Sequence, residues 1–162
     1  MSLLKMKLLI VGGAGYVGSI VVPALEKEFA CTHFDMTPVK SYEDHSVLED
    51  VGDDAKVQQA VIGMDAVLYL AMGTGKHRGP NGRPNVHEIN PMFDVNVRGL
   101  YRFLHMSLEA GAKRFIYASS LSVYNNIRDG TVFDESRPAN AWNTYGLSNR
   151  VNDVLGWLPR NE

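Results

Sequence analysis

The sequence contains one cysteine, Cys31, among its 162 residues. A single thiol cannot form a disulfide within the chain, so a disulfide-stapled fold is excluded and a reducing, cytoplasmic location is favoured. Cys31 itself is expected to be a small buried residue of a strand. The five histidines show no ligand spacing, and with no cysteine pair beside them we expect no metal site.

Long apolar runs and an excess of one charge are also absent. No apolar run approaches the roughly 20 residues of a transmembrane helix, so no membrane partner is expected. The net charge of −2 provides no basic surface of the kind that binds nucleic acid. The hydrophobic fraction of 45% and the charged fraction of 21% are typical of a soluble globular protein, and the length suits one domain over residues 1–162.

Glycines follow an apolar run, Met6 to Ile10, within a first predicted strand, Lys5 to Val11, and precede an amphipathic segment, Ser19 to Phe29. Gly12, Gly15 and Gly18 lie three residues apart, which allows a tight turn, a close approach to a pyrophosphate, and close packing of a helix on a strand. The N-terminus of that helix would offer N–H donors to an anion. The pattern predicts a dinucleotide-binding strand, turn and helix; an ordinary tight turn is the alternative.

An acidic residue, Asp35, ends the next apolar run, which begins at Cys31. Its carboxylate is expected to accept hydrogen bonds from the adenosine ribose hydroxyls and to repel a 2′-phosphate, so NAD is favoured over NADP. Lys40 lies nearby and keeps NADP open as the less favoured cofactor. The alternative for Asp35 is a turn-forming role at the end of a strand.

Strand and helix patterns alternate along most of the chain, which predicts an α/β fold with right-handed crossovers and a three-layer, doubly wound parallel sheet. Asp53 is well placed as the N-cap of one helix. The other predicted strands are Ser46 to Val51, Asp65 to Ala71 and Phe115 to Ser119. The later predicted helices are the one that Asp53 caps, which ends at Ile62, one from Pro91 to Ala110, and one from Asn143 to Leu158.

Glycines and prolines break the pattern between Met72 and Asn90. This long loop follows the carboxyl end of a central strand, so it is either a flexible cover over cofactor or substrate, or simply disordered. Its cations, Lys76 and Arg78 with His77 between them, either meet an anionic substrate or are solvated.

Four motifs in order link the chain to a known family: the glycine turn, Leu70-Ala71, the serine-rich segment 118–124, and the segment 145–149, Tyr-Gly-Leu-Ser-Asn. On these motifs the chain resembles the extended short-chain dehydrogenase/reductases, and more closely the NAD-dependent epimerase/dehydratase family that acts on nucleotide sugars. The resemblance covers nearly the whole chain, Met6 to Leu158. It implies a Rossmann fold, bound NAD, a nucleotide-sugar substrate, and a homodimer.

The resemblance also implies a role for each matched residue. Backbone N–H groups of Tyr16 and Val17 would contact the pyrophosphate, Asp53 the adenine amino group, and Asn96 would lie near the nicotinamide. The full set implied to bind the cofactor is Gly12, Gly15, Tyr16, Val17, Gly18, Asp35, Asp53, Leu70, Ala71, Met72 and Asn96.

Ser120 matches the family hydroxyl that hydrogen-bonds substrate, and Tyr145 matches the catalytic base. The family pattern is Tyr-x-x-x-Lys, in which the ammonium lies one helical turn from the tyrosine and favours its phenolate form. Asn149 stands in place of that lysine. We expect Asn149 to hydrogen-bond the nicotinamide ribose without supplying a charge; Lys76 or Arg78 from the loop is an alternative source of one.

Family members are longer than this chain, which implies that the last strands of the sheet and the C-terminal substrate domain are missing, so that the chain is a fragment or is completed by a partner. Two hypotheses remain: an NAD-dependent epimerase or dehydratase, or a catalytically impaired NAD-binding module that serves as a sensor or scaffold. The homodimer would form through the two long helices, whose apolar faces alternatively pack on the chain's own sheet.

Overall fold

The computed structural model of the chain describes residues 5–73, 91–125, 132, 134 and 136–155. Within these residues, one parallel sheet contains five strands, which are β1 (Lys7–Val11), β2 (Ala30–Asp35), β3 (Ser46–Leu48), β4 (Ala66–Tyr69) and β5 (Arg114–Tyr117). The strands lie in the order β3-β2-β1-β4-β5, so β1 is central and the chain crosses over β1 between β3 and β4.

The helices occur between the strands and after the last of them. They are α1 (Tyr16–Glu28), α2 (Asp54–Val61), α3 (Leu100–Glu109) and α4 (Thr144–Leu155). Short 3₁₀ turns occupy Glu43–His45 and Leu121–Val123, and a π turn at Asp94–Gly99 runs directly into α3. None of the described helices is both long enough and apolar enough to span a membrane.

The described residues divide into two compact units. The first contains those of Met1–Met72 and Gly99–Ala118, and the second contains those of Gly73–Arg98 and Ser119–Glu162. The whole sheet lies in the first unit with α1, α2 and α3, whereas α4 lies in the second. That residues 1–162 form a single domain stays a prediction.

One face of the sheet in the first unit packs against α1. Leu8 and Ile10 of β1 form a buried cluster with Cys31 of β2 and Val22 of α1. Because successive side chains of a strand point to opposite faces, these residues of β1 share one face. This face therefore forms one half of the core.

The other face of the sheet packs against α3. The ring of Phe103 lies 5.2 Å from that of Phe34 on β2, nearly perpendicular to it, and 5.7 Å from that of Tyr69 on β4. Leu9 and Val11 alternate with the α1-facing residues of β1 and are fully buried. Helices thus cover both faces of a parallel sheet, and the predicted doubly wound α/β fold is confirmed.

The observed element bounds correct the predicted ones at several ends. Helix α1 begins at Tyr16, three residues before the predicted start at Ser19. The prediction was too late because the N-cap is a glycine, which has no capping side chain to mark the start. Pro23 lies inside this helix without ending it. The two strands predicted as Ser46 to Val51 and Asp65 to Ala71 are shorter, because β3 ends at Leu48 and β4 at Tyr69.

The long helix predicted after Pro91 is interrupted. Residues 91–93 are helical, the π turn follows, and only then does regular α3 begin. Gly111, with a φ angle of 85°, follows its end as predicted. Of the loop predicted from Met72 to Asn90, residues 74–90 lie outside the described residues, as do the last residues of the predicted C-terminal helix, through Leu158.

Strand β5 is less covered than the other long strands. None of its four residues is buried, and Ile116 is 49% exposed. Parallel strands are normally covered on both faces. The described part of the chain adds no strand beyond β5.

Replacement of Phe103 by alanine is expected to lower the free energy of unfolding by about 3–5 kcal/mol, because it removes the aromatic ring between α3 and the sheet. Urea unfolding followed by circular dichroism measures the change. Leu108→Ala is the matched control, since Leu108 lies on the same helix and is 43% exposed; we expect a change of about 0.5 kcal/mol there. Equal losses in the two variants would contradict the packing of Phe103.

Burial, reinforced by the nearby Glu26 carboxylate, raises the pKa of the Cys31 thiol to about 11. The reactive thiolate is therefore scarce in the folded protein below that pH. We expect iodoacetamide at about pH 8 to leave native Cys31 unmodified and to alkylate it in urea, where the thiol has an ordinary pKa near 8.5. Mass spectrometry of the two samples measures the difference, and rapid native alkylation would contradict the buried placement.

Candidate cofactor and active site

The turn after β1 is built around Gly12. Its φ angle is 86°, in the left-handed region that favours glycine. A Cβ atom at Gly12 would lie 2.5 Å from the Cα of Ala71 and closer still to its backbone nitrogen. The N–H of Gly12 donates to the carbonyl of Phe34 on β2 at 2.9 Å. Glycine therefore lets three chain segments meet at this point.

Gly18 lies in the first turns of α1 and is buried. A Cβ atom there would collide with the carbonyl oxygen of Gly13 and lie 2.6 Å from its carbonyl carbon. The exposed N-cap, Gly15, is different, because a Cβ atom would meet only the carbonyl oxygen of Gly12, at 3.3 Å. Close packing thus leaves no room for a side chain at Gly12 or Gly18, whereas Gly15 is less closely packed.

The first turn of α1 is accessible from solvent. Tyr16 is 84% exposed and Val17 is 47% exposed. Gly15 supplies no side-chain cap, and the first turn contains no acidic residue. The N–H groups of a first helical turn have no acceptor within the helix, and the helix dipole adds a partial positive charge. This arrangement suits an anion such as a phosphate.

Asp35 ends β2 beside the glycine turn. Its Oδ2 accepts a hydrogen bond from the N–H of Ala14 at 3.0 Å. Its Oδ1 accepts from the N–H of Thr37 at 3.1 Å and from the Thr37 hydroxyl at 3.3 Å. The second pair of contacts is the turn-forming role considered from the sequence. The first contact fixes the carboxylate relative to the glycine turn. A contact between Asp35 and the adenosine ribose stays a prediction.

The segment after β4 runs past the glycine turn. The N–H of Leu70 donates to the carbonyl of Val11 at 2.7 Å, which extends the contact between β4 and β1. Ala71 supplies the backbone that excludes a side chain at Gly12, and Met72 is 53% exposed. The backbone of the segment is therefore fixed while its last side chain is accessible.

Asp53 caps α2. Its Oδ1 accepts from the N–H of Lys56 at 3.1 Å, and the residue is exposed. The predicted N-cap role is confirmed, whereas a contact with adenine stays a prediction. Lys40, the residue that keeps NADP open, is exposed and follows buried Val39.

A buried histidine, for which no role was predicted, lies beneath the glycine turn. His33 of β2 is fully buried, and its Nε2 lies 2.8 Å from the Oε1 of Glu26. Its Nδ1 would lie 3.0 Å from a Cβ atom at Gly13 and has no hydrogen-bond partner among the described residues.

In the part of the chain that the structure describes, no group of three or more acidic, histidine or cysteine side chains could hold a metal ion.

In the second unit, Ser120 is the N-cap of the 3₁₀ turn at Leu121–Val123. Its Oγ accepts from the N–H of Ser122 at 3.1 Å. A Cβ atom at Gly146 would lie 2.6 Å from the Cβ of Ala141 and collide with the carbonyl oxygen of Ser122. The first turn of α4 is therefore held tightly against the turn that begins at Ser120.

Tyr145 is half-buried in that first turn of α4. Its backbone carbonyl accepts from the Oγ of Ser148 at 2.8 Å and from the Nδ2 of Asn149 at 3.0 Å. Asn149 is only 4% exposed, and its bond to the Tyr145 carbonyl directs its amide back along the helix. Arg150 is the one cation of α4, and its guanidinium donates to the carbonyl of Ala141 at 2.7 Å.

Asn96, in the π turn, has three hydrogen bonds to protein groups. Its Oδ1 accepts from the N–H of Gly73 at 2.8 Å, and its Nδ2 donates to the Oγ of Ser148 at 3.1 Å. Its backbone carbonyl accepts from the Nδ2 of Asn152 at 2.7 Å. A contact between Asn96 and nicotinamide stays a prediction.

Sequence reasoning missed Ser148, Asn152 and Asp153. Ser148 and Asn152 are spaced by four residues on an otherwise amphipathic helix, so their spacing was the available signal. Burial raises the pKa of the Asp153 carboxyl, and a hydrogen bond with Ser119 opposes that shift.

Comparison with known proteins gives relatives of the predicted kind. At 29% identity over 140 residues, the chain matches N-acetyl-alpha-D-glucosaminyl-diphospho-ditrans,octacis-undecaprenol 4-epimerase of Escherichia coli O157:H7, covering 86% of this chain and 39% of that protein. At 29% identity over 168 residues, it matches L-arabinose 1-dehydrogenase (NAD(P)(+)) of Haloferax volcanii, covering 93% of this chain and 59% of that protein. The chain thus spans less than two thirds of the length of each of these relatives.

The fold has solved counterparts. The crystal structure of a short-chain dehydrogenase/reductase superfamily protein from Agrobacterium tumefaciens with bound NAD superposes with a TM-score of 0.83 at 28% identity. The match covers 96% of this chain and 45% of that one. The sequence model of the NAD dependent epimerase/dehydratase family matches residues 8–157. The predicted family and its cofactor type are confirmed: the chain belongs to the NAD-dependent epimerase/dehydratase family.

Proposed function

We propose that the chain is an NAD-dependent epimerase/dehydratase-like oxidoreductase that acts on a nucleotide sugar or a related hydroxyl-bearing substrate. The observation that carries the proposal is the hydrogen bond between Asp35 and the Ala14 N–H, because it fixes an acid suited to a ribose against a turn suited to a pyrophosphate. Two of the relatives, a sugar epimerase and a sugar dehydrogenase by name, support a sugar substrate.

The residues around the glycine turn fit NAD. Side chains at Gly12 and Gly18 would collide with backbone, so the turn keeps its compact shape. Tyr16 and Val17 are exposed residues at the positive end of α1, and their N–H groups would bind the pyrophosphate. We propose that Leu70, Ala71 and Met72 line the adenosine, with Asp53 at the adenine amino group.

Asp35 would select NAD over NADP. Two N–H groups and one hydroxyl hold its carboxylate at the end of β2. Each carboxylate oxygen can accept more than one hydrogen bond, so acceptor capacity remains for the ribose hydroxyls. The same negative charge would repel a 2′-phosphate.

Asp35→Ala is expected to weaken NAD binding roughly 10- to 100-fold, because it removes hydrogen bonds to a charged acceptor. Asp35→Asn keeps an acceptor but no charge, so its preference for NAD over NADP should fall while some NAD affinity remains. Isothermal titration with each cofactor measures both effects.

Asp44→Ala is the control, since Asp44 is an exposed acid of the nearby 3₁₀ turn and should leave both affinities unchanged. If wild-type protein binds neither cofactor, the proposed function is wrong. If it binds NAD and Asp35→Ala binds equally well, the role assigned to Asp35 is wrong.

Catalysis would depend on residues of the second unit. NAD, when bound, supplies a hydride acceptor, which in an epimerase or dehydratase later returns the hydride. Tyr145 would take the proton of the substrate hydroxyl that is oxidised. Ser120 would orient that hydroxyl, because its oxygen already accepts from the N–H of Ser122 and its own proton can be donated to a substrate oxygen.

A second candidate is an NAD-binding module that is catalytically impaired. The observation that favours it is the buried, uncharged Asn149, whose amide donates to the Tyr145 carbonyl. A phenolate needs a nearby positive charge to form readily at neutral pH. The one cation of α4, Arg150, is bound to the carbonyl of Ala141.

Asn149→Lys separates the two candidates. If the remaining site is competent, the added ammonium should favour the phenolate of Tyr145 and raise turnover on the order of 100-fold. NADH absorbance and product chromatography, with UDP-glucose and dTDP-glucose as probes, measure it. Asn149→Met has a long side chain without charge and should give no gain. A folded, NAD-binding Asn149→Lys variant with no gain would favour the binding module.

The homodimer and the cytoplasmic location also remain proposals. Exposed apolar side chains on α3, Tyr101 and Leu108, support a contact with a second copy.

A further inference from the structure

Ser148 joins the side chain of Asn96 to the backbone of Tyr145. Its Oγ accepts from the Asn96 Nδ2 at 3.1 Å and donates to the Tyr145 carbonyl at 2.8 Å. Ser148 has no exposed surface. A hydroxyl has one proton, so this pair of bonds fixes its direction. Ser148 is therefore held from two sides in an environment that excludes water.

The chain of hydrogen bonds continues to Gly73. The N–H of Gly73 donates to the Asn96 Oδ1 at 2.8 Å. Gly73 is itself tightly placed, because a Cβ atom there would lie 2.5 Å from the carbonyl oxygen of Pro91 and 2.8 Å from the Cα of Met92. It directly follows Met72 in the chain. Gly73 is thus bonded into the same network as Tyr145.

A second bond ties α4 to the π turn. The Asn152 Nδ2 donates to the Asn96 carbonyl at 2.7 Å, and Asn152 is 2% exposed. A π turn departs from the regular i→i+4 ladder, which leaves a carbonyl available to a side chain. Ser148 and Asn152, four residues apart, lie on one face of α4 and both bind Asn96.

Asn149 also donates to the Tyr145 carbonyl, at 3.0 Å, but that bond is internal to α4. Loss of the Ser148 hydroxyl would keep the internal bond and break the connection from Tyr145 to Asn96. Hydrogen bonds in a buried chain polarise and so strengthen one another, and breaking one therefore weakens its neighbours.

We propose that Ser148 is a positioning residue for Tyr145, which its hydroxyl holds in register with Asn96 and Gly73. The proposal rests on the proposed function, because Tyr145 is a catalytic residue only there. It adds a role for a serine that contacts neither cofactor nor substrate.

The test uses fluorine NMR of the full chain labelled with 3-fluorotyrosine. The Tyr145 resonance is the one that disappears in Tyr145→Phe. In Ser148→Ala we expect this resonance to shift or broaden in the protein without cofactor, because the backbone that carries the ring loses its bond to the Ser148 hydroxyl. With NAD added, the change seen in wild type should be largely lost in the variant.

Ser107→Ala is the matched control. Ser107 is 1% exposed, and its Oγ donates to the carbonyl of Leu104, three residues earlier, at 3.0 Å, as Ser148 does to Tyr145. Both variants lose a buried hydroxyl bonded to its own helix. Only Ser148→Ala should change the Tyr145 resonance. If Ser148→Ala does not fold, Ser148→Cys replaces it, since it keeps the volume with a weaker donor.

A Tyr145 resonance in folded Ser148→Ala that matches wild type would overturn the positioning role, as would an equal change in Ser107→Ala. Failure of the proposed function appears differently. In that case, titration calorimetry shows no NAD binding to wild type, while the cofactor-free spectra still report whether Ser148 positions Tyr145.

Discussion

The architecture depends on Gly12 and Gly18, where the neighbouring backbone leaves no room for a side chain. The backbone of Gly12 touches that of Ala71, and Gly18 touches Gly13, so β1, the segment after β4 and α1 approach more closely than a methyl group would allow. This close approach places the end of β2 beside the turn, and Asp35 can then accept from one of its N–H groups. Cofactor recognition would thus be a consequence of how the strands meet.

The same central strand organises both layers of the first unit. Leu8 and Ile10 face α1, while Leu9 and Val11 face the opposite side of the sheet. A parallel strand covered on both faces has a nearly continuous apolar sequence. That property made β1 readable from the sequence, and the glycine spacing placed the turn that follows it. The order of strand and helix patterns sufficed for the fold class.

Element ends and side-chain partners were harder to predict. The start of α1 was placed too late because its N-cap, Gly15, carries no capping side chain to mark it. The π turn at Asp94–Gly99 was not predicted, because residues 91–110 were interpreted as one regular helix. The bond from Asn152 to Asn96 joins residues 56 positions apart, and local periodicity contains no information about such contacts.

Among the described residues of the second unit, the buried polar side chains are neutral. Asn96, Ser148, Asn149 and Asn152 are all buried, and each forms hydrogen bonds with protein groups. A paired buried amide costs far less than a buried ammonium, which needs several acceptors of its own. The backbone carbonyl of Tyr145 is therefore held by two uncharged side chains, those of Ser148 and Asn149. Positioning of the tyrosine and activation of its phenol are separable properties, and the hydrogen bonds described here account for the first of them alone.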